Sequence, residues 1–129
     1  MRLYLPTLAE LIDRLSVVTL KSIFISENKK HYDREIGLIK HDIKELGHNP
    51  EYIHAIMMIM LSNRYIWENE SKARLGTSEQ DKLLKLTHSV NGVRNRFKNV
   101  IAKMEGERVD LKVDCLAAGL PKEYGNWNL

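Results

Sequence analysis

The stretch Lys82-Leu83-Leu84-Lys85-Leu86-Thr87-His88-Ser89-Val90-Asn91-Gly92-Val93-Arg94-Asn95-Arg96-Phe97-Lys98-Asn99-Val100-Ile101-Ala102-Lys103-Met104 decides the fold and says where to look for a site. Turned at about 100° per residue, Leu83, Leu86, Val90, Val93, Phe97, Val100, Ile101 and Met104 fall within one arc, the core face of an amphipathic helix. From Lys82 to Lys103 there are six Lys or Arg and no Asp or Glu. Lys82, Lys85, Arg96 and Lys103 share one flank, and Arg94 and Lys98 share the other. His88, Asn91, Asn95 and Asn99 lie between, opposite the core. Cations without i,i+4 carboxylates cost a helix some stability. Such a face is either solvated and balanced by acidic neighbours, or it is an anion site. Arg beside amide-bearing Asn suits phosphate and base edges together.

Three further helices are bounded by local signals. Thr7-Leu8-Ala9-Glu10 is a capping box, so a helix runs from about Leu8 to about Ser26. Asp33 to Leu46 reads as a second, with Ile36, Ile39, Ile43 and Leu46 on one side and Gly47 at its stop. Asn49-Pro50-Glu51 starts a third, Asn as cap and Pro at the first helical position, reaching Leu75 before Gly76. Ser78 caps the fourth, which runs to about Glu105 before Gly106. Short connections make sequential helices antiparallel neighbours. The expected fold is therefore all-α, an antiparallel bundle of about four helices. Residues 107–129 form a short irregular docking tail. Within it Val109–Val113 alternates like a strand, Leu116–Pro121 suits a helical turn, and Tyr124–Leu129 is polar and aromatic.

Length and composition agree. The 129 residues hold one domain, 1–129, and 43% hydrophobic against 29% charged residues mark a folded globule rather than a disordered chain. Cys115 is the single cysteine, which excludes a disulfide framework and a cysteine-rich zinc module. A reducing, cytoplasmic setting is the default expectation. No apolar run approaches the roughly 18–20 residues that span a bilayer, so no membrane partner is expected. The net charge of +3 falls short of a dedicated nucleic-acid binder, and aromatics make up only 7%.

Helix one is apolar on nearly every side, which places it at the centre of the bundle or between a core and a partner subunit. Leu8, Leu11, Ile12, Leu15, Val18 and Ile23 make one face; Val17, Leu20 and Phe24 make a second. The second face points to a homo-oligomer, with a dimer the commonest closed form. Its polar stripe is Glu10, Arg14 and Lys21, with Asp13 beside it. Either Glu10 pairs with Arg14 at i,i+4, or Arg14 and Lys21 serve a ligand. In helix three Asn63, Trp67, Glu70 and Arg74 form a polar-aromatic stripe in line with Tyr52, Ile56 and Met60, which are expected to face inward. Trp67 between a carboxylate and an Arg would stack a planar ligand, or it is structural beside a Glu70–Arg74 pair. Met57, Met58 and Met60 read as core filling, although methionines also suit an adaptable contact surface.

Three segments together carry a resemblance: Glu10-Leu11-Ile12-Asp13-Arg14-Leu15-Ser16-Val17-Val18-Thr19-Leu20-Lys21, Asn63-Arg64-Tyr65-Ile66-Trp67-Glu68-Asn69-Glu70-Ser71-Lys72-Ala73-Arg74, and His88-Ser89-Val90-Asn91-Gly92-Val93-Arg94-Asn95. They resemble a family of small all-helical proteins of unknown function found in tailed phages and in bacterial sugar-polymer gene clusters. The resemblance implies a helical fold and a polar constellation drawn from helices one, three and four. It implies no activity.

Catalytic signatures are thin: there is no Gly-rich phosphate loop, no HExxH and no nucleophile elbow. Cys115 reads as a buried bystander, and the five His show no metal spacing. Neither a metal nor a cofactor is expected. A non-enzymatic binding protein for a phosphorylated, nucleotide-like small molecule fits the residues best. The expected ligand-binding set is Arg14, Lys21, Asn63, Trp67, Glu70, His88, Asn91, Arg94 and Lys98. A phage protein that sequesters a nucleotide signal in the host cytoplasm would need no more chemistry. One alternative is a Mg-dependent all-α nucleotide pyrophosphohydrolase, with Glu10-x-x-Asp13 as half of its carboxylate site. Another is an oligomeric interaction module without a ligand.

Overall fold

The structure, a computed structural model, describes residues 5–74, 80–109 and 125–129, with side chains described at 5–72, 85–109 and 125–129. Four α-helices follow in order: α1 (Leu8–Phe24), α2 (Lys29–Glu45), α3 (Pro50–Arg74) and α4 (Gln80–Met104), with a 3-10 turn at Ser26–Asn28 between the first two. The described residues are all-α, as the sequence predicts. Among the described residues, no helix is long and apolar enough to cross a membrane.

The predicted caps hold the helix starts. The Thr7 hydroxyl accepts the Glu10 N–H at 3.2 Å, and the Asn49 side-chain oxygen accepts the Glu51 and Tyr52 N–H groups, both at 3.1 Å. Helix α2 begins a turn earlier than predicted. Its first turn, Lys29-Lys30-His31, has no apolar pattern and no side-chain cap to announce it. Lys29 instead pairs with Asp33 and His31 with Glu35, both at i,i+4. The predicted Ser78 cap, the Val109–Val113 strand, the Leu116–Pro121 turn and Cys115 lie outside the described residues, Val109 aside, which is coil.

The helices form two antiparallel hairpins. In the first, Leu11, Leu15 and Val18 of α1 meet Ile36, Ile39 and Ile43 of α2. Leu46, expected on the same side, lies past the end of α2 and is exposed. A polar clamp closes the hairpin: the buried Ser22 hydroxyl donates to Asp33, and Lys29 donates to Ser22 Oγ at 3.0 Å. In the second hairpin, Ala55, Met58 and Ile66 of α3 pack with Leu86, Val90, Val93 and Phe97 of α4.

Helix α3 bridges the hairpins; α1 also reaches both cores, with Ile23 in the second, but one side of it stays outside them, so it is not the enclosed centre predicted. Ile53 and Met57 of α3 pack against the α1–α2 core, whereas Ala55 and Met58 belong to the other. A 25-residue helix has the length and the sides to serve both. Val17, Leu20 and Phe24 of α1 remain exposed. So do Ile56 and Met60, at 52% and 68%, which overturns their predicted inward direction. Once α3 is flanked on two sides, its third side has nothing to face.

The tail does dock. Trp127 is fully buried, edge-on to Phe24 at 5.7 Å and tilted against Tyr65 at 5.2 Å. Its carbonyl accepts from Arg96 at 3.1 Å, and the Asn126 N–H donates to the Ile23 carbonyl. Gly125 makes the approach possible. Its φ is +93°, and a Cβ there would sit 2.9 Å from Ile23 Cγ2.

Candidate functional site

Because α3 and α4 run antiparallel, rising numbers on one meet falling numbers on the other. Asn63 therefore lies opposite Arg94, and the Arg94 guanidinium donates to the Asn63 side-chain oxygen at 3.0 Å. Arg94 is half-buried, its Nε–H is buried without a hydrogen-bond partner, and among the described residues no carboxylate pairs with it. One turn along α4, Lys98 is exposed and likewise makes no ion pair among the described residues. It lines a hollow of about 340 Å³ together with Ile59, Asn99, Ala102, Arg108 and one carboxylate, Glu107. Asn91, half-buried, stands one turn before Arg94.

Arg108 was not visible as a site residue in the sequence. The signal that could have found it is Gly106. At φ +67° this residue turns the chain back, with the Glu107 N–H on the Ala102 carbonyl at 2.8 Å. The reversal returns Arg108 toward Lys98.

The other expected residues divide. Trp67, 64% exposed on α3, is not the structural tryptophan that one reading allowed. The Arg64 guanidinium lies 5.4 Å from its ring centre and pairs with Glu68 at 3.4 Å. Glu70 is exposed one turn beyond Trp67; the Arg74 side chain lies outside the described residues. His88 is exposed on α4 and engaged with a neighbour. Arg14 and Lys21 are exposed on α1 and make no hydrogen bond or ion pair with the α3–α4 candidates. The Lys21 ammonium lies 5.9 Å from the Tyr32 ring on α2. No Glu10–Arg14 ion pair forms.

The asparagine face of α4 is not opposite the core. Asn95 and Asn99 are buried, as is Ser89, so the buried arc of α4 is wider than its apolar arc. Arg96 shows one cause: it faces the returning tail rather than solvent.

One titratable group is strongly perturbed. His54 is buried on α3, edge-on to Phe97 at 5.7 Å, with Nε2 lacking a partner. Burial lowers its pKa from 6.5 to about 4; Lys40 adds to the shift and Glu51 partly opposes it. No group of three or more His, Cys, Asp or Glu that could hold a metal ion is present among the described residues. Glu10 and Asp13 are both exposed on α1. No protein family, curated protein or solved structure gives a significant match to the chain.

Proposed function

We propose that this protein binds a phosphorylated small molecule along the α3–α4 seam and does not transform it. The observation that carries this reading is Arg94. A guanidinium held by an amide oxygen, with no carboxylate paired to it among the described residues, keeps its charge for an anion. Lys98 and Arg108 add cationic charge one to two turns away, offset in part by Glu107, and Asn63 and Asn91 add amide groups. Trp67 supplies an exposed aromatic plane on the α3 side of Asn63. A nucleotide matches that list. The phage resemblance makes capture of a host's nucleotide signal the natural setting. No carboxylate cluster among the described residues favours the pyrophosphohydrolase alternative.

Titration calorimetry of the full chain against a panel of nucleotides and inorganic phosphate tests the proposal. Arg94→Ala is expected to weaken binding ten- to hundredfold, roughly 1.4–3 kcal/mol, with helix content unchanged. Arg14→Lys asks whether α1 takes part, since Lys keeps the charge and loses the fork. If the parent binds no phosphorylated molecule, the reading fails.

A further inference from the structure

The seam between α1 and α3, where the two hairpins meet, is filled unevenly. Between Thr19 and Leu20 on one side and Met57 and Leu61 on the other it holds a groove of about 450 Å³. Thr19 is buried there, and its hydroxyl has no hydrogen-bond partner. About one turn further along α1 the seam closes. Phe24 meets Tyr65 with ring centres 6.3 Å apart, and Trp127 stands against both rings. The segment that closes it, Gly125–Leu129, reaches both hairpins. Trp127 belongs to the second core, and Leu129 packs against both cores. Asn126 and Asn128 between them are exposed, the in-and-out alternation of an extended strap. The Asn126 N–H donates at 2.6 Å to the Ile23 carbonyl, in the last turn of α1, and Arg96 of α4 donates at 3.1 Å to the Trp127 carbonyl. One short segment thus holds α1 on one side and α3 and α4 on the other.

Its position gives it leverage. The chain joins the hairpins at 46–49, by the Leu8 end of α1, where Leu46 and Leu11 line one hollow. The segment docks at the Phe24 end, about 24 Å away along the helix. Gly47 at the joint has φ +87°, inside a connection of four residues. Each core is drawn almost entirely from one hairpin, so the hairpins are units that can part along the seam. We infer that Gly125–Leu129 is a strap across a hinge. Docked, it fixes the angle between the hairpins. Undocked, it lets the α1–α3 seam open about residues 46–49 while each hairpin stays folded. The inference is independent of the ligand proposed above, since Asn63 and Arg94 meet inside the second hairpin.

Variants of the full chain test the strap. With Trp67→Phe, Trp127 is the sole tryptophan, and its emission should be blue-shifted and shielded from acrylamide. Two further changes release it. Gly125→Val puts a branched side chain where a Cβ would already lie 2.9 Å from Ile23 Cγ2, and Trp127→Ala removes the anchor. Opening is read by alkylation of a thiol placed in the seam by Thr19→Cys and followed by peptide mapping. A thiol placed inside the first hairpin by Val18→Cys is the control. Each release variant should speed alkylation at position 19 at least about tenfold, leave position 18 protected and retain helix content by circular dichroism. Trp127 open to acrylamide before any release change overturns the inference, as does an unchanged rate at position 19 in either release variant. Equal acceleration at positions 18 and 19, or a loss of helix, overturns it too, because the segment would then be ordinary core.

Discussion

The two hairpins bury different chemistry. Between α1 and α2 the core is Leu11, Leu15, Val18, Ile36, Ile39 and Ile43, with Ser22 held in its clamp. Between α3 and α4 the apolar residues share the interior with His54, Ser62, Asn69, Ser89, Asn95 and Asn99. A buried polar group destabilises unless it is hydrogen-bonded. Ser62 and Ser89 manage this locally, each donating to the carbonyl four residues back, at 2.6 and 3.0 Å. His54 and Asn69 each retain a buried nitrogen without a partner. Thr19 of α1 shares that condition, but it faces α3 rather than α2 and so belongs to the junction. The first hairpin buries almost only apolar groups, whereas the second buries polar groups that its packing alone does not require.

If that contrast is real, the largest effect comes from truncating the apolar hairpin. Leu15 is fully buried among branched side chains of α1 and α2, whose neighbours cannot collapse without moving a helix. Leu15→Ala should lower unfolding free energy by about 2–5 kcal/mol, read from urea titration. That is a large part of the roughly 5–15 kcal/mol a domain possesses. A loss below about 1 kcal/mol would mean that the first hairpin is not the anchor.

The next effect tests the polar hairpin through acid. The unfolded chain protonates His54 as pH falls below 6.5, whereas the folded chain resists until about pH 4. The unfolded state therefore binds more protons in that window, and stability rises with pH across it. The full benefit is present above pH 6.5. It declines as pH falls to 4, by up to about 3 kcal/mol below that point. His54→Leu should flatten this slope, measured as the difference between variant and parent in urea midpoints at several pH values. An unchanged slope would place the imidazole in contact with solvent.

What the sequence made legible follows the range of each signal. Helix starts at Thr7 and Asn49 and the stop at Gly47 are set by atoms within a few residues, so reading them needs no tertiary context. The apolar faces of α2 and α4 were largely legible too, because one apolar arc had one core to meet. The inward direction of α3 was not. Its residues 52–61 are apolar nearly all round, and periodicity cannot choose among three sides when two are covered. Ile56 and Met60 therefore emerged on the surface, while Asn95 and Asn99 of α4, polar by type, were drawn inside. In the candidate site, Arg94, Asn91 and Lys98 were evident from missing carboxylates along α4. That Asn63, rather than Trp67 or Glu70, meets Arg94 depends on interhelical register, which no local pattern fixes. Arg108 depends on a turn beyond the helix.

The smallest effect is the one that most sharpens the contrast, because its sign is opposite to that of the first. Asn69 is buried on α3, and its Nδ2 has no hydrogen-bond partner. Leucine branches at the same atom, with two methyl groups somewhat bulkier than the amide oxygen and nitrogen they replace. Asn69→Leu therefore removes a desolvated donor and leaves the packing filled, a change that is neutral or stabilising when no bond is broken. A gain of roughly 0.5–1 kcal/mol is expected in urea titration. Asn69→Ala, which leaves a void, should show no such gain. Should Asn69→Leu lower stability by more than about 1 kcal/mol, the amide is bonded in solution and the second hairpin is no less optimised than the first. A more stable variant that also binds nucleotide less tightly would show that the buried amide is kept for the seam and not for the fold.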